Sequence, residues 1–224
     1  MRIITGKFKG RLIKMPQGMR PTQDKVRKAL FDILGGIEGA SFLELFAGSG
    51  AVGLEAASQG VKEVVFVEND PTCIKMLKEN LSYLSLTAYR LLPIDAFKAV
   101  ERLAKEKEKF DIVFLDPPYY KDMVPRLRPS TLRRCSVSMV SVAEPSTSLR
   151  TTFGRSGSMA SRDDESLSKK TLKILSTYDI LALDGLIVVQ HFKKDNLPDV
   201  LGDLVLFKQV RYGDTMLSFY RKEG

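Results

Sequence analysis

The chain has 224 residues, 44% apolar and 28% charged, enough for one sizeable domain with a real core and no need of staples. Its two cysteines, Cys73 and Cys135, stand far apart and in no metal-ligand spacing, which argues against a disulfide framework and a zinc site and suits a reducing cytosol. Apolar runs reach only about six residues, too short for a membrane helix or a signal peptide, and Met1-Arg2-Ile3-Ile4-Thr5-Gly6 has no apolar leader.

The formal net charge is +8, and it is local. Residues 1–30 hold nine basic side chains (Arg2, Lys7, Lys9, Arg11, Lys14, Arg20, Lys25, Arg27, Lys28) and one acid, Asp24. The remainder carries 26 basic and 26 acidic groups, in balance. A concentrated basic segment on a neutral body is the footprint of a polyanion binder, although a solvated basic face produces the same pattern.

In chain order, residues 2–5 and 11–14 are short extended runs around Gly6-Lys7-Phe8-Lys9-Gly10, which predicts a β-hairpin with a basic tip. Arg20-Pro21-Thr22 leads into a helix with Thr22 as its N-cap and Val26, Ala29, Leu30, Ile33 and Leu34 as its apolar stripe, ended by Gly35-Gly36. From Ser41, apolar strands alternate with helices. Strands are predicted at 42–47, 63–68, 89–94 and 111–115, and helices at 51–58, from Pro71 with Asp70 as cap, and at 96–107. A helix near 172–181 and a strand at 186–190 follow. A last pair, 204–210 and 216–220, is joined by Tyr212-Gly213-Asp214. This alternation predicts an α/β, Rossmann-like, seven-stranded and mostly parallel sheet with helices on both faces. The closing hairpin makes one strand antiparallel.

Residues 125–168 break the pattern. They contain eleven serines, seven arginines and no lysine, whereas the rest of the chain has twenty lysines and eight arginines. With three prolines and no periodicity, the segment reads as a flexible insertion. The predicted organisation is a basic extension over 1–20, one domain formed by 21–124 and 169–224, and the insertion between.

Two motifs carry chemistry. In Glu44-Leu45-Phe46-Ala47-Gly48-Ser49-Gly50-Ala51-Val52-Gly53, a strand turns through glycines into a helix. Such a turn lets backbone approach a ligand at a helix N-terminus. Glu68 ends the next strand, where a carboxylate can accept ribose hydroxyls. Taken alone, this also fits a nicotinamide enzyme. The second motif, Asp116-Pro117-Pro118-Tyr119, follows the apolar strand 111–115. The prolines rigidify the turn and remove donors, leaving the Asp116 carboxylate and the Pro117 carbonyl as adjacent acceptors. That pair suits a flat NH2 group, and Tyr119 supplies a ring to stack on the heterocycle bearing it. A nicotinamide enzyme has no need of this arrangement. His191, the only histidine, ends a strand and reads as structural.

These motifs together resemble class I S-adenosylmethionine-dependent methyltransferases that act on amines. With Met1–Gly6, Gly10-Arg11, Arg20-Pro21-Thr22, Val26-Arg27-Lys28-Ala29-Leu30-Phe31 and Tyr212-Gly213-Asp214-Thr215, the chain resembles the RsmD family over about 1–123 and 170–222. That family methylates guanine N2 in bacterial small-subunit (16S) ribosomal RNA. Residues 125–168 have no counterpart in its pattern, which bears on substrate access. The resemblance implies that Glu44 binds the methionine end of the cofactor and that Phe46, Gly48 and Gly50 approach it. Glu68 would hold the ribose, and Asp95 with Ala96 the adenine; Asp95 also reads as the N-cap of its helix. Asp116, Pro117, Pro118 and Tyr119 would form the catalytic turn. Arg2, Lys7, Lys9, Arg11, Lys14 and Arg20 would meet ribosomal RNA, free or in an assembling subunit. The expected protein is a cytoplasmic monomer without a metal. The alternatives are an adenine-N6 methyltransferase acting on RNA or DNA, and a non-catalytic RNA-binding protein that keeps the cofactor fold.

Overall fold

Ser41–Leu45 (β1), Glu63–Val67 (β2), Tyr89–Leu92 (β3), Phe110–Leu115 (β4) and Leu181–Phe192 (β5) lie side by side and parallel in the computed structural model, in the order β3-β2-β1-β4-β5. Thr215–Lys222 (β8) runs antiparallel to β5, and Leu204–Tyr212 (β7) pairs with β8 in turn. The structure describes residues 1–15, 24–118 and 165–223. Arg20, Thr22, Tyr119, Cys135 and most of the segment 125–168 lie outside the described residues. All described residues except Glu165 belong to one unit made of Met1–Val124 and Ser166–Gly224.

The sheet corrects the expected strand count. An eighth strand, Val200–Leu201 (β6), pairs antiparallel with β7 at the edge, so β8 and β6 both oppose the parallel set. Two residues are too few to show a period in sequence. The helix predicted near 172–181 is Leu167–Thr177 (α5), because the Ser166 side chain caps it by accepting the Lys169 N–H. That serine sits in a Ser-rich run, which hid the helix start. Strand β5 begins at Leu181, ahead of the predicted 186, and a register irregularity between Phe110 and Ile112 of β4 sets two steps on that strand against the five from Leu181 to Leu186 on β5.

The other helices are Asp24–Leu34 (α1), Ala51–Ser58 (α2), Pro71–Tyr83 (α3) and Ala96–Lys105 (α4). Asp70 caps α3 through the Cys73 N–H at 2.9 Å, as predicted. Successive strand residues point to opposite faces. Phe42, Phe66 and Phe114 join one core with Leu30 of α1, Leu54 of α2 and Leu77 of α3. Leu43, Val65 and Val113 join the other with Val100 of α4 and Leu172 of α5. Each such side chain, fully buried, contributes about 1.5–3 kcal/mol.

The N-terminal hairpin forms, but with one antiparallel bridge, Arg2 to Leu12. Backbone and side-chain hydrogen bonds pin it to α2. The Lys7 N–H donates to the Ser58 carbonyl at 2.7 Å and the Phe8 N–H to Ser58 Oγ at 2.8 Å. Gly6 has φ +72°, and a Cβ there would come within 1.9 Å of the Ser58 carbonyl oxygen. No other residue fits that contact without moving α2.

Candidate active site

Register builds the site. Leu92, Val67, Leu45, Leu115 and Val189 form one row across the five parallel strands. The residues that follow this row are Pro93, Glu68, Phe46, Asp116 and Gln190. They stand at the carboxyl ends of adjacent strands, where open α/β sheets bind ligands.

The chain leaves β1 through Phe46 at φ 59°, an uncommon backbone for a bulky residue, and turns at Gly48 (φ 56°) and Gly50 (φ 77°) into α2. Strain of this kind is held where the surroundings fix it. Gly50 is the N-cap of α2 and offers no side-chain cap. Glu44, reaching from β1, takes that place. Its Oε1 accepts the Val52 N–H at 3.3 Å and its Oε2 the Gly53 N–H at 2.9 Å. A Cβ on Gly53 would lie 2.7 Å from Glu44 Oε2, so that glycine makes room for the bond. Burial pushes the Glu44 carboxyl up to about 8; the two N–H bonds pull it down, while the charges of Asp116 and Glu68 push it further up. Both Glu44 oxygens thus face α2 and organise the loop.

Glu68 closes the loop from the other side. Its Oε2 accepts the Gly48 N–H at 2.7 Å, and its Oε1 accepts the N–H groups of Asn69 and Asp70, both at 2.8 Å. A carboxylate has about four acceptor positions, so about one is left over. Asp95 caps α4: its Oδ1 accepts from Phe97 at 2.9 Å and Lys98 at 3.3 Å. Ala96 is buried beside it.

Asp116 is half-buried, Pro117 buried and Pro118 exposed. Gln190 of β5 donates its Nε2–H to Asp116 Oδ2 at 2.6 Å. Sequence reasoning missed Gln190. The available signal was two polar residues, Gln190-His191, closing an apolar strand. His191 is a satisfied core group. Its Nδ1 meets the Phe192 carbonyl and its Nε2 meets Ser218 Oγ at 2.7 Å, and burial pushes its pKa below the usual imidazole range.

Arg2, Lys7, Lys9, Arg11 and Lys14 are all exposed. Lys14 pairs with Glu79 at 2.9 Å. Lys25 and Lys28 of α1 join Arg2 and Lys9 around a cavity of about 430 Å³. Arg27, counted with the basic segment, is fully buried and contributes nothing to that surface. Asn80 of α3 links the hairpin's exit to the glycine loop: it accepts the Lys14 N–H at 2.8 Å and donates to the Lys14 and Ser49 carbonyls at 3.0 and 3.1 Å. Among the described residues no group of His, Cys, Asp and Glu could hold a metal, and no helix is long and apolar enough to cross a membrane.

The sequence model of the family described as "Conserved hypothetical protein 95" matches residues 1–135. The YlbH protein of Bacillus subtilis is 32% identical over 228 residues, spanning all of both chains. Ribosomal RNA small subunit methyltransferase D of Haemophilus influenzae is 38% identical over 127 residues, 54% of this chain and 64% of that one. Among solved structures, the Thermus thermophilus 16S rRNA N2 G1207 methyltransferase (RsmC), in complex with AdoMet and guanosine, has the same fold. Its TM-score is 0.56 at 18% identity, covering 92% of this chain and 44% of that one.

Proposed function

The chain belongs to the RsmD family, and from that membership we propose that it transfers a methyl group from S-adenosylmethionine to the N2 amine of a guanine in 16S ribosomal RNA. The match to the H. influenzae small-subunit rRNA methyltransferase supports the substrate, and the guanosine-bound neighbour shares the fold. We assign the work to a cytosolic monomer acting on ribosomal RNA, free or in an assembling small subunit.

One observation carries the choice of cofactor: the α2 N-terminus already holds Glu44. A nicotinamide dinucleotide would set its diphosphate at such a helix end. There it would meet a carboxyl already bonded to the N–H groups, within the field of Glu68 and Asp116. A cofactor carrying sulfonium and ammonium charges suits that negative field. The glycine-loop backbone at Gly48 and Gly50, with Phe46, would hold it. Glu68 would take a ribose hydroxyl with its remaining acceptor position, and Asp95 and Ala96 would flank the adenine. When bound, this cofactor supplies an electrophilic methyl group.

The chain's own task is the nucleophile. The lone pair of a guanine amine is delocalised into the ring. Asp116, held by Gln190, and the Pro117 carbonyl accept the two N–H groups, localise the lone pair and stabilise positive charge developing on nitrogen. Orientation adds up to about 7–11 kcal/mol. A paired base cannot reach these acceptors, so the target is unpaired or flipped out. The exposed hairpin cations hold phosphates and set the register of the RNA.

Two measurements test the reading. Calorimetry should show binding of S-adenosylmethionine and none of NADH. Tritiated methyl transfer, mapped on ribosomal RNA from cells lacking this modification, should place the label on one guanine N2. Label on adenine, or none, would reject it.

A further inference from the structure

Gln190 does two things at once in the structure. Its Nε2 holds Asp116 Oδ2 at 2.6 Å. The residue is 5% exposed, and its Oε1 is buried with no hydrogen-bond partner among the described residues. Swapping the amide would set an oxygen against a carboxylate, so the Asp116 contact fixes Oε1 as the open acceptor. Buried acceptors left unpaired are uncommon in folded proteins and are costly. This one lies beside the aspartate assigned to the amine, at the carboxyl end of the next strand.

Resting on the reading above, we infer that Gln190 is a specificity-determining residue that selects guanine over adenine at the reacting amine. Asp116 and Gln190 Oε1 are neighbouring acceptors. The complementary base edge carries two neighbouring donors, an NH2 and a ring N–H. Guanine has that edge in N2 and N1–H. Adenine presents its N6 amine beside N1, which is an acceptor, and an acceptor facing Oε1 leaves both unpaired. A site built to bond a donor rejects an analogue that lacks it. The same residue keeps Asp116 in place through Nε2, so acceptor and positioning roles share one side chain.

The test uses the full chain and a short RNA with the sequence around the mapped nucleotide, carrying either guanine or 2-aminopurine there. 2-Aminopurine keeps the amine but has an unprotonated N1. The wild-type protein should favour guanine in kcat/KM by about tenfold or more. Gln190→Met, close in volume, removes both functions and should bring that ratio to about one. Gln190→Glu keeps an acceptor but loses the donor to Asp116, so it should lower kcat and retain the preference for guanine. Equal use of the two bases by the wild-type protein, or a preference that survives in Gln190→Met, overturns the assignment. If Gln190→Met melts early, Gln190→Glu decides: a preference lost there also overturns it. Transfer to neither base by the wild-type protein would overturn the underlying reading, and this one with it.

Discussion

Arg27 and Glu55 form a buried ion pair, Nε to Oε2 at 3.2 Å, with their side chains 0% and 1% exposed. Glu55 also accepts the N–H groups of Ile4 and Thr5 at 2.9 and 2.7 Å and the Thr5 hydroxyl at 2.8 Å. Arg27 donates through its other arm to the Arg2 carbonyl at 2.6 Å. The pair therefore joins α1, α2 and the hairpin at one point. Its charge goes into anchoring the hairpin and leaves the proposed RNA contacts to other side chains.

Removing one partner of such a pair leaves the other charged and buried. Glu55→Ala should lower the free energy of unfolding by about 3–5 kcal/mol, seen as a shifted urea midpoint. The Ile4 and Thr5 amides should lose protection in hydrogen exchange. An unchanged midpoint would mean the pair adds nothing.

Asp116→Ala should reduce single-turnover methyl transfer by about two to three orders of magnitude, comparable to losing one oriented stabilising group. Cofactor affinity should stay near wild type, because the proposed role of the carboxylate is toward the amine. A large loss of cofactor binding with intact single-turnover rates would reassign Asp116.

Glu68→Ala should weaken S-adenosylmethionine binding by about 1–3 kcal/mol in calorimetry. The structure adds a second effect: Gly48 loses the partner of its N–H. Glycine-loop amides should therefore exchange faster even without cofactor. Unaltered affinity would exclude Glu68 from the binding site.

Neutralising Lys7 and Lys9 should weaken RNA binding and make its salt slope shallower by about 0.7–0.9 for each phosphate that is no longer neutralised. Both side chains are exposed on the hairpin tip, so stability should not change. A slope equal to wild type would put the RNA on another face.

The Glu44 carboxyl predicts a pH effect with a definite sign. Its folded-state value, about 8, lies above the ordinary carboxylate value of 4.5. Between these two values the folded protein holds the proton and the unfolded chain does not. The Glu44 contribution to stability is therefore full below about pH 4, falls as pH rises from there to about 8, and levels off above, at no more than about 1.4 kcal/mol per pH unit. Urea midpoints against pH should show this fall in the wild-type protein and a flatter profile in Glu44→Gln. Parallel profiles would exclude Glu44 as the source.

Most strands and helices were legible because their apolar periods are strong and their caps local: Asp70 and Asp95 each cap the helix that follows them. The places of Glu44, Glu68 and Asp116 at strand ends were legible for the same reason. What was hidden depends on distant partners. Nothing near Arg27 in sequence says it is buried, because Glu55 lies on another helix. Gln190 meets Asp116 only through the β4–β5 register. Glu44 was legible as a site residue, but its bonds to Val52 and Gly53 were not, because they depend on how tightly the loop folds back on β1.

The Asn80 bridge has a consequence for the order in which the protein takes shape during synthesis. Residues 1–15 leave the ribosome before their docking partners Glu55, Ser58 and Asn80. The hairpin cannot seat until the third helix has been made, so it settles only after elements that follow it in the chain. Contacts of such long sequence separation form slowly. Until then this segment carries its lysines and arginines on a free chain, beside the same kind of polyanion that the finished protein is proposed to modify.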